Sequence, residues 1–163
     1  MPKSKIQISN IKSRTLLIAS DHGGFALKEK LKLYLEKLGF YVKDLGTYSA
    51  QRCDFPKFAY ALAKQISSGR YKRGILLCRS GIGNSIVANR LSGVRAALCY
   101  NIKVAKLSRE HNDSNVLALG ADFVNAALAK RIVSAWLNTK FLGARYKARL
   151  NQIKIIEKQI RSG

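Results

Sequence analysis

Cys78 is followed by Arg79-Ser80-Gly81-Ile82-Gly83-Asn84-Ser85, so a thiol stands at the mouth of a turn rich in glycine and serine. Consecutive backbone N–H groups in such a turn form a nest for an anion, reinforced by the dipole of a following helix. A thiol there becomes a thiolate more readily than its free pKa of about 8.5 indicates. A thiolate can remove the proton next to a sugar carbonyl, and the backbone nest around Gly81 and Gly83 can hold the enediolate oxygen that results. Cys78 reads equally well as a buried strand cysteine, and its position alone leaves both readings open.

Three further groups carry chemistry. Ser20-Asp21-His22-Gly23-Gly24 sets a carboxylate and an imidazole side by side where an apolar run ends. Asp21 and His22 suit sugar hydroxyls or phosphate, and Asp21 also suits a helix cap. No GxGxxG follows this run, so a dinucleotide fingerprint is absent. Ser108-Arg109-Glu110-His111-Asn112-Asp113-Ser114-Asn115 is dense in polar groups, and His111 is one of only two histidines. A histidine opens a sugar ring by moving protons, while Asx hydrogen bonds would make the same tract a structural turn. Arg145 and Arg149 are spaced i, i+4, share a helix face and fit one phosphate, or are surface charge in a basic chain.

The elements that must position these groups alternate in type. Apolar runs at 15–20, 40–45, 74–78, 94–100 and 116–119 read as strands, with amphipathic segments between them. Helices are expected over 25–38, 54–68, 84–91, 102–108, 123–137 and 145–161, with Asp54 capping the second and Pro56 in its first turn. This alternation predicts an α/β fold with a mostly parallel five-stranded sheet between helical layers. Ligands of such sheets bind at the carboxyl ends of the strands. The last helix has a stripe of Leu150, Ile153, Ile156 and Ile160, which either its own domain or a partner subunit buries.

Bulk properties narrow the function classes. The 163 residues, 47% of them hydrophobic, fit a single domain at 15–163 behind a basic tail at 1–14. No apolar run approaches the about 20 residues of a membrane span, and the N-terminus lacks the apolar core of a secretory signal. The three cysteines match no metal-binding spacing and suit a reducing cytoplasm. The net charge is +21, of which +12 lies in residues 15–140. That charge suits an anionic substrate. No nucleic-acid recognition motif accompanies it, so contact with nucleic acid is expected to be nonspecific only.

Taken in order, these motifs resemble the ribose-5-phosphate isomerase B family, whose relatives include galactose-6-phosphate isomerase subunits. The resemblance rests on the Ser20–Phe25 run, Asp44-Leu45-Gly46-Thr47, Asp54-Phe55-Pro56, Cys78-x-Ser80-Gly81-Ile82-Gly83, Gly93-Val94-Arg95-Ala96, Ser108-Arg109-x-His111-Asn112-Asp113 and Arg145-x-x-x-Arg149. It implies a Rossmann-like α/β/α fold and interconversion of ribose 5-phosphate and ribulose 5-phosphate through a cis-enediol, with neither metal nor organic cofactor. A six-carbon sugar phosphate and a non-catalytic binding relative remain the alternatives. By resemblance Cys78 is the base, Ser80 stabilises the enediolate, and His111 with Asp21 opens the ring. His22, Arg145 and Arg149 grip phosphate, and Asn112 touches substrate. The site would draw on both subunits of a homodimer or dimer of dimers, with the last helix docked on the partner. Two residues depart from the family pattern. Arg79 stands where Gly is usual, and Asp122 where an Arg is common, an acid expected to point away or to pair with Arg145 or Arg149.

Overall fold

The computed structural model describes residues 13–163; the proposed tail at 1–14 therefore lies outside them except for Ser13 and Arg14. Five strands, β1 (Thr15–Ser20), β2 (Tyr41–Asp44), β3 (Gly74–Cys78), β4 (Ala96–Leu98) and β5 (Val116–Gly120), form one sheet. Their order is β2-β1-β3-β5-β4, and every pairing is parallel. The helices are α1 (Phe25–Lys37), α2 (Pro56–Ser67), α3 (Ile82–Ala88), α4 (Ile102–Asn112), α5 (Ala126–Asn138) and α6 (Ala144–Ser162). The α/β fold with a parallel five-stranded sheet is as expected.

Strand alternation sorts the core into two layers. Leu16, Ile18, Ile75, Leu77, Leu117 and Leu119 face α1, α4 and α5, packing on Leu31, Leu35, Ile132 and Trp136. Leu17, Ala19 and Leu76 face the other way, onto Leu62, Ala63 and Ile66 of α2 and Ala88 of α3. β1 is almost fully buried and β3 and β5 wholly so, which is why they read as unbroken apolar runs. β4 is an edge strand of three residues, shorter than the run at 94–100 implies. Its open side is partly closed by Asn89, whose side chain accepts from Ala96 N at 2.8 Å and donates to Ala96 O at 3.0 Å.

Several boundaries differ from expectation. Asp54 caps nothing; Phe55 is the N-cap of α2 and Pro56 its first residue, where a missing N–H costs nothing. α3 begins at Ile82, two residues before Asn84, and α4 runs on through Asn112. α4 closes at Asp113, which takes the left-handed conformation with φ 45.

Lys28 is the largest electrostatic commitment in the fold. It is fully buried on α1, and its Nζ donates to both Asp44 carboxylate oxygens and to Thr47 O, each at 2.6 Å. Lys32 Nζ adds a bond to Asp44 at 2.8 Å, and the Gly46 N–H another at 2.9 Å. These bonds draw the loop after β2 across the end of β1, where Ser20 N donates to Gly46 O and Thr47 N to Ser20 O. Burial pushes the Asp44 carboxyl up, but the bonds from Lys28, Lys32 and Gly46 outweigh it and hold the group below its ordinary value of 3.8.

Asp44→Ala strands a buried ammonium and is expected to cost about 3–5 kcal/mol in urea unfolding. The native Asp44 contribution is complete above the ordinary carboxylate value and fades as pH falls through the lower native one. Unfolding titrations below about pH 4 should therefore show a pH slope that Asp44→Asn lacks.

Candidate active site

β3 delivers Cys78 to the carboxyl edge of the sheet, and the chain turns sharply after it. Gly81 takes φ 79, and its N–H points at Cys78 Sγ at 3.0 Å. Ser80 Oγ accepts from Ile82 N at 3.2 Å, and the first turn of α3 closes through Ser85 N to Gly81 O at 3.1 Å. The turn requires glycine: a Cβ on Gly81 would lie 2.6 Å from Leu98 Cδ1 and 3.0 Å from the backbone of Leu119. At Gly83 the missing side chain makes room for the Phe55 ring, so any contact of Gly83 with a ligand rests on its N–H. Beside this turn opens a cavity of about 360 Å³ lined by Ser80, Ile82, Leu98, Tyr100, Gly120 and Phe123 among others. Cys99 lines it too, but burial pushes that thiol up to about 11 against an opposing hydrogen bond with Ser108, so it stays protonated at neutral pH.

Asp21 and His22 sit on the neighbouring strand end. The Asp21 carboxylate accepts from Gly24 N at 3.0 Å, which closes the turn ahead of α1 without capping the helix itself, and its own N–H donates to Leu77 O beside Cys78. His22 Nδ1 lies 3.0 Å from Cys53 O and 3.2 Å from Cys53 N; either tautomer fixes the ring to the loop before α2. Among the described residues, Ser20 Oγ at the end of β1 and Asn84 Nδ2 in α3 are buried polar atoms without a hydrogen-bond partner.

The two departures from the family pattern meet each other. The Arg79 stem lies across Gly23, where a Cβ would fall 2.5 Å from Arg79 Cγ. Its guanidinium reaches Asp122 at 3.6 Å, and Asp122 N donates to Arg79 O at 3.0 Å. Asp122 pairs with Arg79, then, and not with Arg145 or Arg149. With side chains 65% and 50% exposed, the pair is worth at most about 1 kcal/mol.

His111, Asn112, Arg145 and Arg149 form a second group elsewhere. His111 lies in the last turn of α4, in a helix where a polar turn was one reading, and stacks on Tyr146 with ring centres 4.2 Å apart. Arg145 and Arg149 flank the same ring at 5.0 and 5.6 Å, and Arg145 Nη2 donates to the Tyr146 hydroxyl at 2.9 Å. Tyr146 thus organises three candidate residues, a role sequence reasoning missed; its place between two arginines on one helix was the available signal. The rest of the tract is structural. Arg109 Nη1 binds Asp113 Oδ1 at 2.8 Å and Ser114 O at 2.6 Å, and Trp136 Nε1 donates to Ser114 Oγ at 2.8 Å.

The two groups occupy opposite ends of the sheet. Cys78 pairs with Gly120 at the carboxyl end, whereas Gly74 N donates to Asn115 O, just beyond Asn112, at the amino end. The four steps of β3 from Gly74 to Cys78 separate them by about 13 Å at roughly 3.3 Å per residue. Neither Cys78 nor His111 lines the cavity beside the turn, whose walls include Ser80 and Gly120; Asn112 lines a different one, with Arg95, Ile153 and Glu157. A single copy therefore brings Asp21, His22, Cys78, Ser80, Gly81 and Gly83 together and keeps His111, Asn112, Arg145 and Arg149 apart from them.

A thiol in an amide turn at the carboxyl edge of a parallel α/β sheet stands where such sheets bind ligands, and the comparisons with known proteins supply the class, that of sugar-phosphate isomerases, which are intramolecular oxidoreductases. Residues 16–153 match the Ribose/Galactose Isomerase family, and the chain belongs to it. It is 41% identical over 146 residues to ribose-5-phosphate isomerase B of Escherichia coli strain K12, covering 90% of this chain and 98% of that one. The ribose-5-phosphate isomerase B structure from Clostridium thermocellum superposes with TM-score 0.88 at 44% identity, covering 90% and 99% of the two chains. That from Mycoplasma genitalium, with bound ribulose-5-phosphate, gives TM-score 0.85 at 37% identity over 88% and 96%. Among the described residues no helix is long and apolar enough to cross a membrane.

Gly81→Ala forces a side chain into the left-handed region and against Leu98. It is expected to lose about 1–2 kcal/mol from backbone strain alone and to slow alkylation of Cys78, read by urea unfolding and peptide mapping.

Proposed function

We propose that this protein interconverts ribose 5-phosphate and ribulose 5-phosphate, in a site completed by a second copy of the chain. The observation that carries the reading is the Gly81 N–H directed at Cys78 Sγ at 3.0 Å. The turn that sets this N–H against the sulfur offers further N–H groups to an oxyanion beside it.

The reaction balances with this chain's groups. His111, with Asp21, moves a proton from the anomeric hydroxyl to the ring oxygen and frees the aldehyde. The Cys78 thiolate takes the C2 proton, and electrons pass to O1, giving a cis-enediolate held by the turn and Ser80. The O2 proton passes to O1, and Cys78 returns its proton to C1, which leaves the ketose. His22, Arg145 and Arg149 hold the phosphate, and Asn112 contacts a substrate hydroxyl.

A partner copy explains what one copy leaves unfinished. Within one chain Cys78 and His111 are a sheet length apart, so a shared site needs the amino end of one copy set against the carboxyl end of the other. α6 supports that assembly: only Tyr146 and Leu150 are buried along its 19 residues, while Ile153, Ile156 and Ile160 remain 40%, 52% and 75% exposed. Ile82, Ile86, Tyr100 and Phe123 add exposed apolar surface around the cysteine turn. A twofold axis would generate two such sites per dimer. Three free thiols suit a reducing compartment such as the cytoplasm.

Cys78→Ala is expected to abolish turnover while sugar-phosphate binding survives. Refolded together, inactive Cys78→Ala and His111→Ala chains should regain about one quarter of native activity, since half the dimers are mixed and each carries one intact site. No recovery removes the shared site, and native turnover of Cys78→Ala removes the base. Arg149→Ala should raise KM about tenfold or more with a smaller change in kcat, measured on five- and six-carbon aldose phosphates.

A further inference from the structure

A basic cavity lies at the amino end of the sheet, at the far end of β3 from Cys78. It encloses about 340 Å³ and is lined chiefly by Tyr71, Lys72, Arg73, Arg95, Arg109 and Asp113. Four cations thus face one carboxylate, and that carboxylate is already committed. Asp113 Oδ1 binds Arg109 Nη1 at 2.8 Å, and Oδ2 lies 3.5 Å from Arg95 Nη2. Lys43 Nζ adds a fifth positive charge, bound to the Tyr71 hydroxyl at 3.0 Å.

Arg73 is the group left over. Its Nη1 donates to Leu137 O at 3.0 Å, and its guanidinium packs over the Trp136 ring at 5.7 Å. Nε and Nη2 have no partner among the described residues. Arg109 is 6% exposed, and its Nη2 is likewise unpaired among them. Two guanidiniums, one buried and one half-buried, therefore share a polar cavity with spare donors and too little negative charge. Burial and the nearby Arg109 charge push Arg73 below its ordinary value against the pull of Asp113, as expected where a counter-ion is missing.

We propose that this cavity binds a phosphate-type oxyanion, free phosphate or a phosphate monoester, separately from the phosphate grip of Arg145 and Arg149. Guanidinium forks match tetrahedral oxyanions, and the volume admits a phosphate with a small substituent. The bound anion would tie the end of α5 through Arg73 to the end of α4 through Arg109, and so stabilise the fold by mass action.

The test is calorimetric titration of the full-length protein with inorganic phosphate, and separately with glycerol phosphate, at constant ionic strength. The native chain should bind two anions per copy. Arg73→Gln should weaken one site about tenfold or more and leave KM and kcat unchanged. Arg149→Ala should remove the other site and leave the Arg73-dependent one, while Arg73→Lys should retain weakened binding. Binding in both arms assigns the shared chemistry, and binding in one arm alone identifies the source. One anion per native copy, or two on an Arg73→Gln protein with native turnover, overturns the proposal. If Arg73→Gln fails to fold, Lys72→Gln gives the same reading: an unchanged second site counts against the cavity, a weakened one for it.

Discussion

The contact between the Gly81 N–H and the Cys78 sulfur sets the terms for the rest of the molecule. It exists because the backbone turns left-handed at Gly81, and that turn fits only because Leu98 and the Leu119–Gly120 backbone leave no room for a side chain. The neighbours that impose this belong to β4 and β5, so the geometry at the sulfur is inherited from the sheet register. Cys78 opposite Gly120 is one rung of that ladder. A flexible loop could bring the same groups together for part of the time; a turn wedged between strands holds them there continuously, which is what stabilising a short-lived oxyanion requires.

Around this point the fold spends charge unevenly. Lys28 and Asp44 are taken out of water to clamp the loop beside β1, and the bonds they make leave few unmet donors or acceptors. At the amino end of the sheet, Arg109 is buried and Arg73 half-buried, and both keep donors that no described residue accepts from. The first arrangement is structural closure and the second an open valence. The overall charge of +21 does not distinguish them; only the local hydrogen-bond count does.

The interior strands were legible from sequence because they are buried on both faces, so β1 and β3 appear as apolar runs with sharp ends. β4 was overdrawn because an edge strand stops where pairing stops, while the apolar residues around it, Val94 and Cys99, are buried without being in the strand. The polar tract at 108–115 looked like one functional turn. Its buried part, Ser108, Arg109 and Ser114, serves packing, and its more exposed part, His111 and Asn112, faces away from its own cysteine. Spacing along the chain does not reveal which end of a strand a residue reaches once a helix intervenes. The Arg79–Asp122 pairing was illegible for the same reason: 43 positions of sequence separate partners that adjacent strand ends bring together.

That pairing also constrains history. The arginine and aspartate found here neutralise each other, whereas the glycine and arginine that the resemblance implies would carry a single cation. The intermediates are less comfortable: an arginine at both positions would set two guanidiniums against each other, and an aspartate facing glycine would leave that acid without this partner. Because the pair is solvent-exposed the barrier between the two states is low, a matter of epistasis and not of lethality. The two positions are coupled, so a change at one is expected to alter what the other tolerates.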